Sequence, residues 1–122
     1  MIDYEKFPDL TGVFLEDSYV LGIVESPEQL VFQLDAVLTP EHPRYRAPRS
    51  DEKYCYAHGA LTFGDIDCVE WLSRSSRRYI DASGEADLGS IDTLTVEDDS
   101  VTAEGDWGRV RVYGGRLRFE VG

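Results

Sequence analysis

From Gly12 onward, apolar and polar residues alternate with a period of two through most of the chain. That period is the pattern of β-strands that turn one face to a core. Residues 18–25 and 30–38 read as two such strands. They flank Ser26-Pro27-Glu28-Gln29, a four-residue loop with proline at a favoured turn position. The register then pairs Ile23 with Phe32, Leu21 with Leu34 and Tyr19 with Ala36, and leaves Gln33 and Asp35 on the opposite face.

The central stretch, residues 54–72, holds both cysteines, His58 and Trp71. Gly64-Asp65 divides it into two apolar runs, and glycine first in a two-residue loop suits a type II′ turn. This predicts a hairpin pairing Phe63 with Ile66, Leu61 with Cys68 and His58 with Trp71. One face would carry Cys55, Ala57, Leu61, Phe63, Ile66, Cys68 and Leu72. The other would carry Tyr54, Tyr56, His58, Val69 and Trp71. A strand pair apolar on both faces belongs in the middle of a fold or keeps one face for a partner. Asp65 could instead cap a helix through Val69, Leu72 and Tyr79. We read residues 66–72 as a strand, with room for a turn of helix after it.

Two more hairpins follow. Residues 91–97 and 100–104 flank Asp98-Asp99, setting Val96 against Val101 and Leu94 against Ala103. Residues 107–113 and 116–121 flank Gly114-Gly115, whose glycines admit the positive φ of a type I′ turn. That register sets Val112 against Leu117 and Val110 against Phe119. Arg111 would then face Arg118, and Arg109 would face Glu120.

The connecting segments differ in character. Pro8 limits residues 2–9 to a short helical turn or an extended arm. Residues 39–52 carry Pro40, Pro43 and Pro48 with Arg44, Arg46 and Arg49, a loop of about a dozen residues, long enough to suggest function or mobility. Residues 73–89 form the second irregular stretch, with Arg74, Arg77 and Arg78 followed by Asp81, Glu85 and Asp87. Short strands with frequent turns predict one all-β domain over residues 1–122, an antiparallel sandwich or half-open barrel built from consecutive hairpins, with at most a short N-terminal helix.

Composition narrows the functional classes. A chain of 122 residues with 42% hydrophobic content can build its own core. Its apolar runs fall short of the roughly 20 residues of a membrane helix. Met1-Ile-Asp-Tyr-Glu-Lys6 has neither the basic start nor the apolar centre of a signal peptide. With two cysteines that the predicted register holds apart, this gives the expectation of free thiols in the cytoplasm. The net charge of −12 opposes nucleic-acid binding. Charge is arranged in blocks: −8 over residues 1–43, +2 over 44–80, −9 over 81–106 and +3 over 107–122. Acidic blocks confer solubility and can steer a basic protein partner.

Candidate chemistry is sparse. Cys55-x-x-His58 with Cys68 invites a zinc reading, but residues three apart on a strand point to opposite faces. The same geometry separates Cys68 and Cys55 from His58 as a nucleophile–base pair. Ser18 stands in no Gly-x-Ser-x-Gly elbow. Paired acids at Glu16-Asp17, Asp65-x-Asp67, Asp98-Asp99 and Glu104-x-Asp106 suit solvated turns. No catalytic, metal or cofactor residues are therefore assigned. Arg111 opposite Arg118 would repel unless an anion or carboxylate lay between them. Tyr54, Tyr56, His58 and Trp71 form the leading binding candidate, because Tyr and Trp combine large apolar area with a polar tip.

Residues 15–21 (Leu-Glu-Asp-Ser-Tyr-Val-Leu), 60–66 (Ala-Leu-Thr-Phe-Gly-Asp-Ile) and 104–108 (Glu-Gly-Asp-Trp-Gly) give the chain an overall pattern that resembles small bacterial β-rich families. Among these are the immunity-protein-like domains of toxin gene clusters. The resemblance implies a non-catalytic module that masks a basic protein surface, with aromatic anchors and an acidic rim. Two alternatives stand beside it. One is a small-ligand binder or enzyme with a pocket at the open end of the β structure, near His58, His42 and the arginine-bearing loops. The other is a structural protein whose second apolar face makes a homodimer.

Overall fold

The computed structural model describes residues 1–75, the backbone of 79–80, and residues 86–122. Two 3₁₀ turns, Tyr4–Lys6 and Pro8–Leu10, precede the strands β1 (Val13–Glu25), β2 (Leu30–Leu38), β3 (Cys55–Arg74), β4 (Tyr79–Ile80), β5 (Ala86–Asp87), β6 (Ile91–Glu97), β7 (Ser100–Gly105) and β8 (Gly108–Val121). Six of them form one antiparallel sheet in the order β1-β2-β3-β8-β7-β6, curled into a half-barrel. β4 and β5 make a separate two-residue ladder. Arg77, Arg78, Asp81 and Glu85 lie outside the described residues. In place of a helical turn directly after Leu72, β3 continues as strand to Arg74.

Two hairpins follow the alternation pattern. β6 and β7 pair Val96 with Val101 and Leu94 with Ala103. β1 and β2 pair Ile23 with Phe32. Beyond Leu21 that register slips by one, so Val20 faces Leu34 and Tyr19 faces Asp35, in place of the expected Leu21–Leu34 and Tyr19–Ala36 pairs. The extra residue of a β-bulge turns Tyr19 outward while Val20 enters the core.

The other two expected hairpins are not hairpins. β3 runs unbroken through Gly64-Asp65, and β8 runs unbroken through Gly114-Gly115. The two lie side by side, with Gly64 paired to Arg116 and Ile66 to Gly114. Positive φ is present as the sequence implied, at Asp65 (54°), Gly114 (68°) and Gly115 (89°). It serves opposed irregularities in neighbouring strands, with a register shift between Ile66 and Cys68, where chain reversals were expected. Continuation lets β3 satisfy its backbone along its length, against β2 over Cys55–Phe63 and against β8 over Gly59–Arg74.

The unbroken course of β3, with the irregularity beside Ile66, explains why a hairpin reading makes the central stretch apolar on both faces. Before that irregularity, Cys55, Leu61 and Phe63 are buried; after it, Ile66, Val69 and Trp71 pack on the same core while Cys68 and Leu72 are exposed. Only Ile66 departs from the alternation of β3, which keeps Val69 and Trp71 on the side of Cys55, Leu61 and Phe63. β8 instead switches from Val110 and Val112 to Leu117 and Phe119, so residues from both expected faces meet one interior. Trp107 sits at its centre, 4.9 Å from the Phe32 ring and 6.0 Å from the Trp71 ring, donating its indole N–H to the Ser90 carbonyl.

The two outer strands of the half-barrel approach each other, and the chain covers both. Val20 of β1 exchanges backbone hydrogen bonds with Leu88 and Gly89, each 2.8 Å. On β6, Leu94 bonds to Met1 and Asp3, and Ile2 forms a parallel bridge to it. Covered edges offer little template for strand addition. The 3₁₀ turns then carry Phe7 and Leu10 into the core. Among the described residues, no helix is long and apolar enough to cross a membrane.

Candidate functional site

The outer face of β1, β2 and β3 carries most of the aromatic residues singled out by sequence. Two rows cross these strands. Phe14, Val37 and Tyr56 are register neighbours, as are Tyr19, Asp35 and His58. Tyr56 lies 6.3 Å from Tyr19 with nearly parallel rings, and 6.1 Å edge-on from Tyr54. Tyr19 and Phe14 keep 41% and 42% of their surface exposed, whereas Val37 is 3% exposed yet lies apart from the interior core. Cross-strand neighbours stand about 5 Å apart, so Phe14 and Tyr56 flank Val37 directly. This is a small apolar layer outside the barrel.

Its construction depends on Ser18. Between Phe14 and Tyr19 the ladder to β2 is interrupted, because residues 15–18 stand against the single residue Ala36. The Ser18 hydroxyl fills the gap, donating to the Phe14 carbonyl (2.7 Å) and accepting from the Val37 amide (2.9 Å). Ser18 is buried and held in the ladder by both hydrogen bonds. The acids Asp17 and Asp35 stand near the layer. Burial first, then the charges around Tyr19, Asp35 and Asp17, push the Tyr56 hydroxyl above the ordinary tyrosine range.

The remaining expected site residues lie elsewhere. Trp71 is on the interior side against Trp107, with the Arg74 guanidinium 4.3 Å from its ring; it shares no face with Tyr54, Tyr56 and His58. Arg111 and Arg118 do not face each other. Arg111 is the register partner of Glu70, 3.7 Å away, and hydrogen bonding to Tyr113 leads the effects that favour its charged form. Arg118 pairs with Thr62 near the kink. The central pairings Phe63–Ile66, Leu61–Cys68 and His58–Trp71 are replaced by Phe63–Leu117, Leu61–Phe119 and Trp71–Val110. Arg109 pairs with Ser73 and Glu104, and Glu120 with Ala60.

Cys55 is buried while His58 is exposed. Among the described residues no group of three His, Cys, Asp or Glu side chains has metal-binding geometry.

Three cavities among the described residues bear on the site. One of about 560 Å³ opens at the kinked end of the half-barrel, between the 3₁₀ turns and β8. A second, of about 290 Å³, lies beside Tyr4 and Gly12. The third, about 280 Å³, is bordered by Tyr19, Asp87, Asp92 and Asp106. The cavity at the kinked end is bordered by Lys6, Arg116 and Arg118, and neither His58 nor His42 lines any of these three cavities. His42 rests edge-on against Phe119, 6.1 Å away.

Tyr19 is the residue of the outer layer that sequence pattern misassigned, since an uninterrupted ladder would send it inward. Comparison with protein-family models, with curated proteins and with solved structures returns no match.

Proposed function

We propose that this chain is a non-catalytic protein-interaction module that binds a basic protein partner through the outer face of β1, β2 and β3. The observation that carries the reading is the layer of Phe14, Tyr19, Tyr54 and Tyr56 beside Asp17 and Asp35. Tyrosines supply contact area at low entropic cost, and a few such anchors dominate the energy of many interfaces. The nearby acids and the net charge of −12 favour encounter with a cationic surface. An immunity-like role, masking a basic toxin, is the form of this activity that the sequence resemblance suggests.

The test is affinity capture from the source cell lysate at low and moderate salt. Wild type is compared with Tyr19→Ala and Tyr56→Ala, each shown to be folded by near-ultraviolet circular dichroism. One stoichiometric basic partner is expected, weakened by added salt and at least tenfold by either substitution. A partner retained by both variants would overturn the assignment of this face, as would the absence of any partner. Concentration-dependent self-association lost in the same variants would replace it with a homodimer.

A further inference from the structure

The cavity at the kinked end of the half-barrel has a built chemical asymmetry. Its apolar wall contains two ladder pairs, Phe63–Leu117 and Val96–Val101, with Phe7 and Pro8 closing it from the N-terminal side. Val96 keeps 38% of its surface exposed although it lies on the same face as buried Leu94. The interior surface is thus left uncovered at this end. The polar part of the wall is cationic, consisting of Lys6, Arg116 and Arg118 with Asp9 as its one acid. The Asp9 carboxylate is turned to the Phe119 amide, 3.4 Å away.

Among the described residues, none of these three cations forms an ion pair with a carboxylate. The ion pairs among the described residues use Arg46, Arg74 and Arg111. In a chain with twice as many acids as bases, three cations against one acid around a single cavity are out of keeping with the surface as a whole. A volume of about 560 Å³ falls within the range of sites that enclose small organic ligands, roughly 300–1,000 Å³.

We infer that the open end of the half-barrel is a binding site for a small amphiphilic monocarboxylate, its apolar body against Phe63, Leu117, Val96 and Val101 and its carboxylate toward Arg116 and Arg118. The apolar wall supplies affinity through burial of hydrocarbon. Arginine supplies charge selectivity through paired N–H donors that match a carboxylate. This site lies apart from the outer tyrosine layer and stands or falls independently of it.

Octanoate, and octanol as its neutral counterpart, would be titrated into the isotopically labelled protein while amide resonances are followed by NMR. The expected result is saturable shifts at Gly114, Gly115 and Leu117 with octanoate, and binding of octanol at least tenfold weaker. Arg116→Ala and Arg118→Ala should each weaken octanoate roughly three- to fivefold, as expected for a partly solvated ion pair. Arg109→Ala, an exposed arginine outside the cavity, should leave it unchanged. All three substitutions are at exposed positions, and the spectra themselves report folding. The inference is overturned by non-saturable shifts, by shifts confined to other residues, or by equal binding of octanol. Equal loss in the Arg109 variant would also overturn it, since that would indicate general charge attraction.

Discussion

Ile66 of β3 stands directly opposite Gly114 of β8 in the sheet ladder, and each is adjacent to a residue of positive φ, Asp65 at 54° and Gly115 at 89°. Two irregularities at one level of two long neighbouring strands change which residues face the core. They also place the cationic cavity at this end of the half-barrel.

Gly114 itself has a φ of 68°, and a methyl group there would collide with the Asp67 carboxylate. Left-handed backbone costs a non-glycine residue about 1–2 kcal/mol before any collision is counted. Gly114→Ala is therefore expected to lower unfolding free energy by about 2 kcal/mol or more. Gly22→Ala is the control: its backbone is outside the left-handed region, and its added methyl meets only the flexible end of Gln33. That variant should remain within about 0.5 kcal/mol of wild type. Urea denaturation of the three proteins decides it, and equal stability would mean that the kink does not require glycine.

Ser18→Ala tests the repair of the β1–β2 ladder. The substitution leaves the buried Val37 amide without its acceptor, a loss of about 1–3 kcal/mol. Amide exchange at Val37 should accelerate more than at Ile23, which lies in the regular part of the same hairpin. Uniform acceleration would instead reveal a general loss of stability.

These two sites also mark what the sequence makes legible. Glycine and aspartate reported positive φ at Gly64-Asp65 and Gly114-Gly115 correctly to within one residue. A reversal and a bulge make the same local demand, however, and only the neighbouring strand distinguishes them. At Asp98 the positive φ does close a hairpin, and there the registers of Val96 and Leu94 agree with simple alternation. Alternation also placed Tyr54, Tyr56 and His58 on one side of the strand. It failed for Tyr19 because one inserted residue in β1 exchanges the two faces of the strand. It failed for Trp71 because the chain does not reverse at Gly64-Asp65, so the unbroken β3 keeps it on the side of Cys55, Leu61 and Phe63. The cations around the cavity were harder still. Lys6 and Arg116 are far apart in sequence, and their proximity depends on how the N-terminal turns pack across the sheet.

Asp92 offers a test of electrostatic strain. Partial burial, then the neighbouring Asp106 and further acids, raise its carboxyl above the ordinary aspartate range, with the N-terminal charge opposing. The folded chain therefore holds this proton more tightly than the unfolded chain. The contribution is fully favourable below the ordinary carboxylate range and is lost as pH rises through the elevated folded value. Asp92→Asn should stabilise the protein at pH 7 by a fraction of a kcal/mol, a small effect because solvent screens an exposed group. The gain should fade as the buffer is taken below about pH 4. Thermal melts of both proteins at the two pH values would show it, and a pH-independent difference would locate the effect in packing.

At the alkaline end, Tyr4 contributes to the response. Its hydroxyl donates to the Glu16 carboxylate and accepts from the Leu15 amide, tying the first 3₁₀ turn to β1. Burial first, then the hydrogen bond to Glu16, raises this phenol well above the ordinary tyrosine range. Since the folded state keeps a proton that the unfolded state releases near pH 10, stability must decline as pH climbs above that point. Removing the hydroxyl should lower stability at pH 7 by about 1 kcal/mol, because the Leu15 amide loses its partner. Tyr4→Phe should nevertheless be less sensitive to alkali than wild type, so the two stability curves converge as pH rises above 10. Urea midpoints measured from pH 7 to 11 would reveal the convergence. Parallel curves would mean that Tyr4 ionises in the folded protein as readily as in the unfolded chain, and that its bond to Glu16 does not hold the proton.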